Sequence, residues 1–156
     1  MVEQRNTDES SDVAVGRDAH LNVLLLADRN LAILDTICRR HGVTHQQYVA
    51  LWTLCLAEDA DAGIPIGSIA DGLLNRASDT TRLVDRLERA GLAERIPNPE
   101  DRRSVLVRAT EAGRTAFAGV TPELQAFHRQ QWSALSASEL DILNHLLAKA
   151  MWATEA

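Results

Sequence analysis

Arginine is the residue whose type and spacing point most clearly to a chemistry in this sequence. Eight arginines and six acidic residues lie between positions 76 and 108, so this segment carries +2 while the whole chain of 156 residues carries −6. A guanidinium can bind a phosphate, or the edge of a guanine, through two hydrogen bonds at once. The distribution therefore predicts a surface that binds nucleic acid where the arginines point and repels it elsewhere.

The first half of this segment has the periodicity of an amphipathic helix over residues 78–90, with apolar residues at 83, 84, 87 and 90 and arginines at 82, 86 and 89. A break at 75–77 separates it from a shorter helix that Ser68 is expected to cap, which is the helix-turn-helix pattern. The second helix would lie in the major groove of DNA. Its candidate contacts are Arg76, Ser78, Asp79, Thr80, Thr81, Arg82 and Arg86. The alternative is a solvated face whose arginines pair with Asp85 and Glu88.

The second half of the segment predicts a β-hairpin. Residues 92–96 and 104–108 are β-compatible and flank a loop that contains two prolines, which cannot supply strand amides. The exposed tip carries Asp101, Arg102 and Arg103, and arginine is favoured in a narrow minor groove. Asp101 is expected either to orient Arg103 or to bridge to the preceding helix, and an ordinary basic hairpin is the alternative.

Helices are predicted on both sides of this module. The first covers residues 17–40 and stops at Gly42, and Thr44 caps a second with Tyr48, Leu51, Trp52 and Cys55 on one face. Thr110 caps a helix after the hairpin, and the region around Thr121-Pro122 is either kinked or divided into two helices. Ser136 and Glu139 fit a capping box that starts the last helix.

These elements predict a mainly α fold with a small β-hairpin wing: a winged helix-turn-helix with N- and C-terminal dimerisation helices. The expected divisions are a disordered tail over 1–16, a dimerisation helix over 17–43, the DNA-binding domain over 44–117 and dimerisation helices over 118–156. The terminal helices carry more apolar surface than the module can cover, which predicts a homodimer. Two such units would read half-sites roughly 10 bp apart on double-stranded DNA.

Other chemistries receive less support. Cys38 and Cys55 lie at apolar helical positions, which favours buried thiols over redox groups. The five histidines lack the spacing of a metal site, and no nucleophile elbow or phosphate-binding glycine loop is present, so no metal, cofactor or enzyme activity is expected. The sequence also lacks a signal peptide and a membrane-spanning run, which predicts a cytoplasmic protein with no membrane partner.

Four short segments resemble the MarR (multiple antibiotic resistance regulator) family in order and spacing: Thr81 to Glu88, Gly91-Leu92, Pro99 to Arg103, and Thr110 to Gly113. The resemblance covers about residues 64–117. It implies a homodimer that binds an operator, usually represses transcription and is often released by a small ligand. It also implies that Asp101 and Arg103 are wing residues, that Arg103 enters the minor groove, and that residues 78–82 begin the recognition helix.

In this family, ligands often bind between the dimerisation helices and the winged domain. Tyr48, Trp52 and Trp132 are therefore candidates for binding a small apolar or aromatic effector, and core packing is the alternative for all three. A different alternative for the whole protein is a winged helix that docks another protein and has lost DNA binding. Asn75, Thr80 and the net negative charge favour that alternative.

Overall fold

The computed structural model of the chain describes the backbone of residues 3–71, 80–101 and 103–152, and the side chains of residues 12–70, 80–101 and 103–151. Within these ranges the fold is mainly helical with a small antiparallel sheet, which confirms the predicted fold class. The elements in chain order are α1 (Glu3–Arg40), α2 (His45–Leu56), β1 (Ile64–Pro65), α3 (Ile66–Asp71), α4 (Thr80–Arg89), β2 (Ala93–Pro97), β3 (Val105–Ala109), α5 (Glu111–Gln131) and α6 (Ala137–Trp152).

The first helix is longer than predicted. The sequence predicts a disordered tail over 1–16, but α1 already begins at Glu3. No proline occurs before position 65, and Gly16 is the only glycine before Gly42, so nothing stronger than one helix-weakening residue interrupts it. Its end is as predicted, because Gly42 adopts a φ of 78°. The amide of Val43 then donates to the carbonyl of Cys38, which closes the helix with a six-residue turn.

The second helix begins as predicted. The hydroxyl of Thr44 accepts from the amide of Gln47, and the side chain of Gln47 accepts from the amide of Thr44. The predicted apolar face needs correction, because Trp52 is 48% exposed and Cys55 is only partly buried. The buried residues of α2 are Tyr48, Ala50, Leu51 and Leu54.

The hairpin is present, and each strand is shifted one residue from its predicted position. Ala93 pairs with Ala109 at one end and Pro97 with Val105 at the other. A third strand, β1, was not predicted: Ile64 pairs with Val107, which places β3 in the centre of the sheet. Because Pro65 lies at the sheet edge, its missing amide costs no ladder hydrogen bond to a further strand.

The short helix before the turn also differs from its prediction. It begins at Ile66, directly after β1, so Ser68 lies within the helix and is not its cap. Because β1 ends at Pro65, the helix begins at Ile66, three residues before the Ile69 start that a Ser68 cap would give. The rest of that predicted helix and the turn at 75–77 lie outside the described residues.

The helices after the wing follow the predicted caps. Thr110 accepts a hydrogen bond from the amide of Gly113 at the start of α5. Of the two alternatives for Thr121-Pro122, the division into two helices is wrong, because α5 runs as one helix with Pro122 inside it. Ser136 and Glu139 form the predicted capping box, with each side chain bound to the other's amide.

One hydrophobic core joins the end of α1, the helices α2, α3 and α4, the sheet, and α5 as far as Leu124. Ile37, Cys38, Val120 and Leu124 belong to this core although they lie outside the predicted domain of 44–117. The rest of α1 and the described side chains of α6 lie outside it, and in the single chain these helices expose large apolar side chains. None of the helices in the described ranges is both long enough and apolar enough to cross a membrane. The large apolar side chains exposed on α1 and α6 are Val13, Val15, Leu21, Val23, Leu24, Leu25, Leu26, Leu31, Ile142, Leu146, Leu147 and Met151.

Candidate nucleic-acid interface

Helix α4 divides into a core face and an arginine face. Leu83, Val84 and Leu87 are buried, as predicted, whereas Ala90 is exposed beyond the end of the helix. The side chains of Arg82, Arg86 and Arg89 are exposed on the opposite side. The three- and four-residue intervals produce this division, because residues at those spacings share a helix face.

The acidic residues of α4 are bound by an arginine from the neighbouring strand. The guanidinium of Arg95, in β2, donates to Asp85 at 2.7 Å through one terminal nitrogen and to Glu88 through the other. The backbone amide of Arg95 also donates to Glu88 at 3.1 Å. The hydrogen bond to Asp85 is the main cause of a raised pKa for Arg95, so the guanidinium is firmly charged.

This arrangement differs from the alternative in which the arginines of α4 pair with Asp85 and Glu88. Arg86 and Arg89 donate to backbone carbonyls of their own helix, and among the described residues neither forms a salt bridge. Sequence reasoning missed the role of Arg95. The signal available was its position in a strand that follows α4 after a tight glycine turn, which brings the strand back along the helix.

One predicted DNA contact is wrong. Thr80 is 2% exposed, because it lies one turn before Leu83 and Val84 and faces the core with them. It cannot reach a base edge from there. Thr81 and Arg82 are exposed, as a DNA contact requires. Arg76, Ser78 and Asp79 lie outside the described residues.

The wing tip is held by hydrogen bonds within the loop. The carboxylate of Asp101 accepts from the backbone amide of Arg103 at 2.9 Å, and the carbonyl of Asp101 accepts from the amide of Ser104 at 3.0 Å. Asn98 reaches across the loop to the hydroxyl of Ser104 at 2.7 Å. Asp101 thus orients the backbone at Arg103, whose side chain is exposed. Arg102 lies outside the described residues.

A close backbone contact joins the wing to α5. The hydroxyl of Thr110 donates to the carbonyl of Gly91 at 2.6 Å, and the amide of Thr110 donates to the carbonyl of Leu92 at 3.1 Å. A Cβ atom on Gly113 would lie 2.0 Å from the carbonyl oxygen of Leu92, so this position accepts only glycine without a shift of the backbone. Thr110 and Gly113 therefore fix the turn that follows α4, and their role is structural.

A cleft of about 360 Å³ lies between α1, α2 and α5. Tyr48 and Trp52 both line it, but Trp132, the third predicted ligand residue, does not. The ring of Tyr48 stacks on Phe117 with centroids 5.7 Å apart, and its hydroxyl lies 3.2 Å from that of Thr121. His45 also lines the cleft, and burial lowers its pKa, which favours the neutral imidazole.

The two thiols have the properties of packed side chains. Cys38 is fully buried, and burial raises its pKa to about 11. Burial also raises the pKa of Cys55. Both shifts disfavour the thiolate that redox chemistry needs. Within the described ranges, no three His, Cys, Asp or Glu residues are grouped so that they could hold a metal ion.

Comparison with known proteins places this geometry among DNA-binding regulators. A family model described as the MarR family matches residues 43–105. The transcriptional repressor MprA of Escherichia coli (strain K12) is 30% identical over 132 residues, which are 85% of this chain and 71% of that protein. The transcriptional activatory protein BadR of Rhodopseudomonas palustris is 30% identical over 111 residues, 70% of this chain and 63% of that protein. A crystal structure of a cysteine-to-serine mutant of MarR from Escherichia coli, complexed with operator DNA, aligns with a TM-score of 0.71 at 26% identity and covers 82% of this chain and 89% of that chain.

Proposed function

Because this chain belongs to the MarR family of winged-helix transcriptional regulators, we propose that it represses transcription as a homodimer on a near-palindromic operator. DNA-binding regulation is the activity of the family, and the chain is not an enzyme. The dimer, the form of the operator, the sign of regulation and release by an effector are the parts that we propose. The repressor assignment follows MprA, which aligns with more of this chain than the activator BadR does.

The observation that carries the proposal is the placement of exposed arginines on α4 and at the wing tip. Arg86 and Arg103 are both exposed, while two acidic residues close to them in the sequence, Asp85 and Asp101, bind Arg95 and the backbone of the wing. A helix in the major groove and a wing in the flanking minor groove would use these guanidiniums on phosphates and base edges.

The homodimer rests on the apolar surface of the terminal helices. Side chains such as Leu25 and Ile142 are 69% and 60% exposed in the single chain. Exposed apolar side chains spread along two helices are unfavourable in water, and a second copy provides the same surface in return. Two recognition helices related by a two-fold axis would require an operator with two matching half-sites.

The cleft lined by Tyr48 and Trp52 is the proposed effector site. Its walls are mainly apolar and include the neutral form of His45, which suits a small aromatic compound with a hydrogen-bonding group. The cleft touches α1, α2 and α5, so a ligand in it would act on the helices that connect the two winged domains. Trp132 is not part of this proposal.

The test is a binding titration of the full chain on duplexes selected from a random pool, repeated over a range of KCl concentrations. We expect affinity to fall steeply with salt, because each neutralised phosphate contributes about −0.9 to the slope of log affinity against log salt. Arg103→Ala should weaken binding and make the slope shallower by about two for a dimer. Arg129→Ala, which removes the same charge in the last turn of α5, is the control and should leave the slope unchanged.

Two outcomes would contradict the proposal. Failure of the chain to bind any duplex at low salt would favour the alternative of a protein-docking module, which the net charge of −6 supports. An equal loss with Arg103→Ala and Arg129→Ala would show that the wing makes no specific contact with the duplex.

A further inference from the structure

We propose that Arg95 is a positioning residue for DNA binding, which keeps Asp85 and Glu88 from neutralising the arginines of the recognition helix. The inference rests on the proposed function, and it concerns a residue that does not itself need to touch DNA. Arg95 lies in β2, and its side chain is 27% exposed between the strand and α4.

The competition arises from the spacing of charges along α4. Asp85 precedes Arg89 by four residues, and an acid four residues before a base is the favoured order for an ion pair on a helix. Such a pair would form on an isolated helix. It does not form here, because the carboxylate of Asp85 binds the guanidinium of Arg95 at 2.7 Å, and Arg89 donates to the carbonyl oxygen of Asp85 instead.

Glu88 is held in the same way and more completely. One of its oxygens accepts from the backbone amide of Arg95, and the other accepts from the guanidinium. A single planar guanidinium thus binds two carboxylates through separate nitrogens, which an ammonium group cannot do with the same geometry. Both carboxylates are turned towards the sheet and away from the exposed arginine face of α4.

Loss of Arg95 would release two negative charges on the recognition helix. Asp85 would then be available to Arg89, and the summed charge of the helix surface would become less positive. Phosphate binding should weaken and depend less on salt, since fewer guanidiniums would displace counterions from the duplex. A residue that only stabilised the fold would change the amount of active protein and leave this slope unchanged.

The experiment compares three variants on the duplex selected with the wild-type protein. Arg95→Gln should lower affinity about tenfold at low salt and flatten the salt dependence. Arg95→Lys should restore part of the loss, because lysine can neutralise only one carboxylate well. The triple variant Asp85→Asn, Glu88→Gln and Arg95→Gln should bind within about threefold of the wild type with its slope restored.

Arg108→Gln is the matched control. Arg108 lies in β3 opposite Glu94, with which it forms an ion pair at 2.8 Å. Glu94 directly precedes Arg95 in β2, so the side chains of Glu94 and Arg95 lie on opposite faces of the sheet. The same charge is lost without release of an acid on α4, and affinity should stay within about twofold. Thermal unfolding of every variant separates changes of binding from changes of folding.

The outcomes are distinguishable from failure of the proposed function. If the wild-type chain binds no duplex, the proposed function is wrong and this inference with it. If the wild type binds and Arg95→Gln binds equally well with the same slope, only the role of Arg95 is overturned. A triple variant as weak as Arg95→Gln would also overturn it, because the ion pairs themselves, and not the shielding of the arginines, would then be required.

Discussion

Thr80 is a polar residue in a core position. Its hydroxyl is buried at the start of α4, and none of the described residues provides a hydrogen-bond partner for it. Burial of an unpaired hydroxyl lowers stability relative to a methyl group of the same size. Thr80 therefore adds a cost to the recognition helix at the turn where the helix begins.

Thr80→Val tests this description. We expect the free energy of unfolding to rise by about 1 kcal/mol, because valine has the same shape without the hydroxyl. DNA affinity should not change, since the side chain does not reach the surface. Chemical denaturation and duplex binding measure the two effects. A loss of stability would mean that the hydroxyl is hydrogen bonded in the folded protein, and a loss of affinity alone would restore Thr80 as a DNA contact.

The exposure of the arginine side chains could be predicted from the sequence better than the partners of the acidic residues. The exposure of Arg82 and Arg86 follows from helical periodicity, and the exposure of Arg103 follows from its place in a loop that begins with two prolines. The partner of Asp85 could not be predicted in this way, because Arg95 is ten residues away and reaches it only after the chain reverses at Gly91. The position of Thr80 at the start of the recognition helix predicts a base contact, but the side chain faces the core one turn before Leu83 and Val84.

At the level of elements, the junction between the wing and α5 has the closest approach of any glycine in the described residues. Gly91 has a φ of 69° and ends α4, and Thr110 binds its carbonyl while capping α5. Gly113 then lies directly against Leu92 and Leu51. The recognition helix, the wing and α5 are thus fixed to one another through the hydroxyl of Thr110 and the close approach of Gly113 to Leu92.

Gly113→Ala should damage this junction. The added methyl group would lie 2.0 Å from the carbonyl oxygen of Leu92 and 3.0 Å from a methyl of Leu51, so the backbone must shift. We expect a loss of about 3 kcal/mol in the free energy of unfolding, measured by denaturant titration. Gly67→Ala is the matched control in α3, where an added Cβ meets nothing within 4 Å. This variant should raise the free energy of unfolding by about 0.5 to 1 kcal/mol. Equal stability of the two variants would show that the junction is looser than described.

Elements with local signals were predictable, and elements defined by distant partners were not. The caps at Thr44, Thr110 and Ser136 depend on residues three positions away, and all three are present. Strand β1 depends on β3, which lies more than forty residues later, and two residues carry no periodicity of their own. The helix α3 was misplaced for the same reason, because β1 determines where it begins.

For the whole molecule, the exposed apolar side chains of α1 and α6 predict a stable dimer. Burial of a large aliphatic side chain contributes about 1.5 to 3 kcal/mol, and the two helices expose many of them in the single chain. The sequence predicts the dimer, because the terminal helices carry more apolar surface than one winged-helix module can cover. The sequence does not predict how far the first helix extends, because the first sixteen residues of the chain have the composition of a disordered segment.

Charged substitutions on α6 test the dimer. Ile142→Glu combined with Leu146→Glu places two carboxylates one turn apart on the exposed apolar face, and sedimentation should change from a dimer to a monomer. The helical content should remain, because both side chains are more than half exposed within one chain. Asn144→Glu adds charge at an exposed polar position between them and should leave the dimer intact. A wild-type chain that sediments as a monomer would contradict the prediction.

The continuity of α5 has a mechanical consequence. Its 21 residues extend over about 31 Å, and the core contacts of Val120 and Leu124 fasten it to the winged module along its first two thirds, so a rotation of module and helix together by about 10° displaces one end of the helix relative to the other by about 5 Å. Successive base pairs of a duplex follow one another every ~3.4 Å along its axis, so a displacement of about 5 Å exceeds the rise of one base pair. A compound that rotates α5 in this way would therefore move the two recognition helices of a dimer out of register with their half-sites. The shape of each winged module would not change.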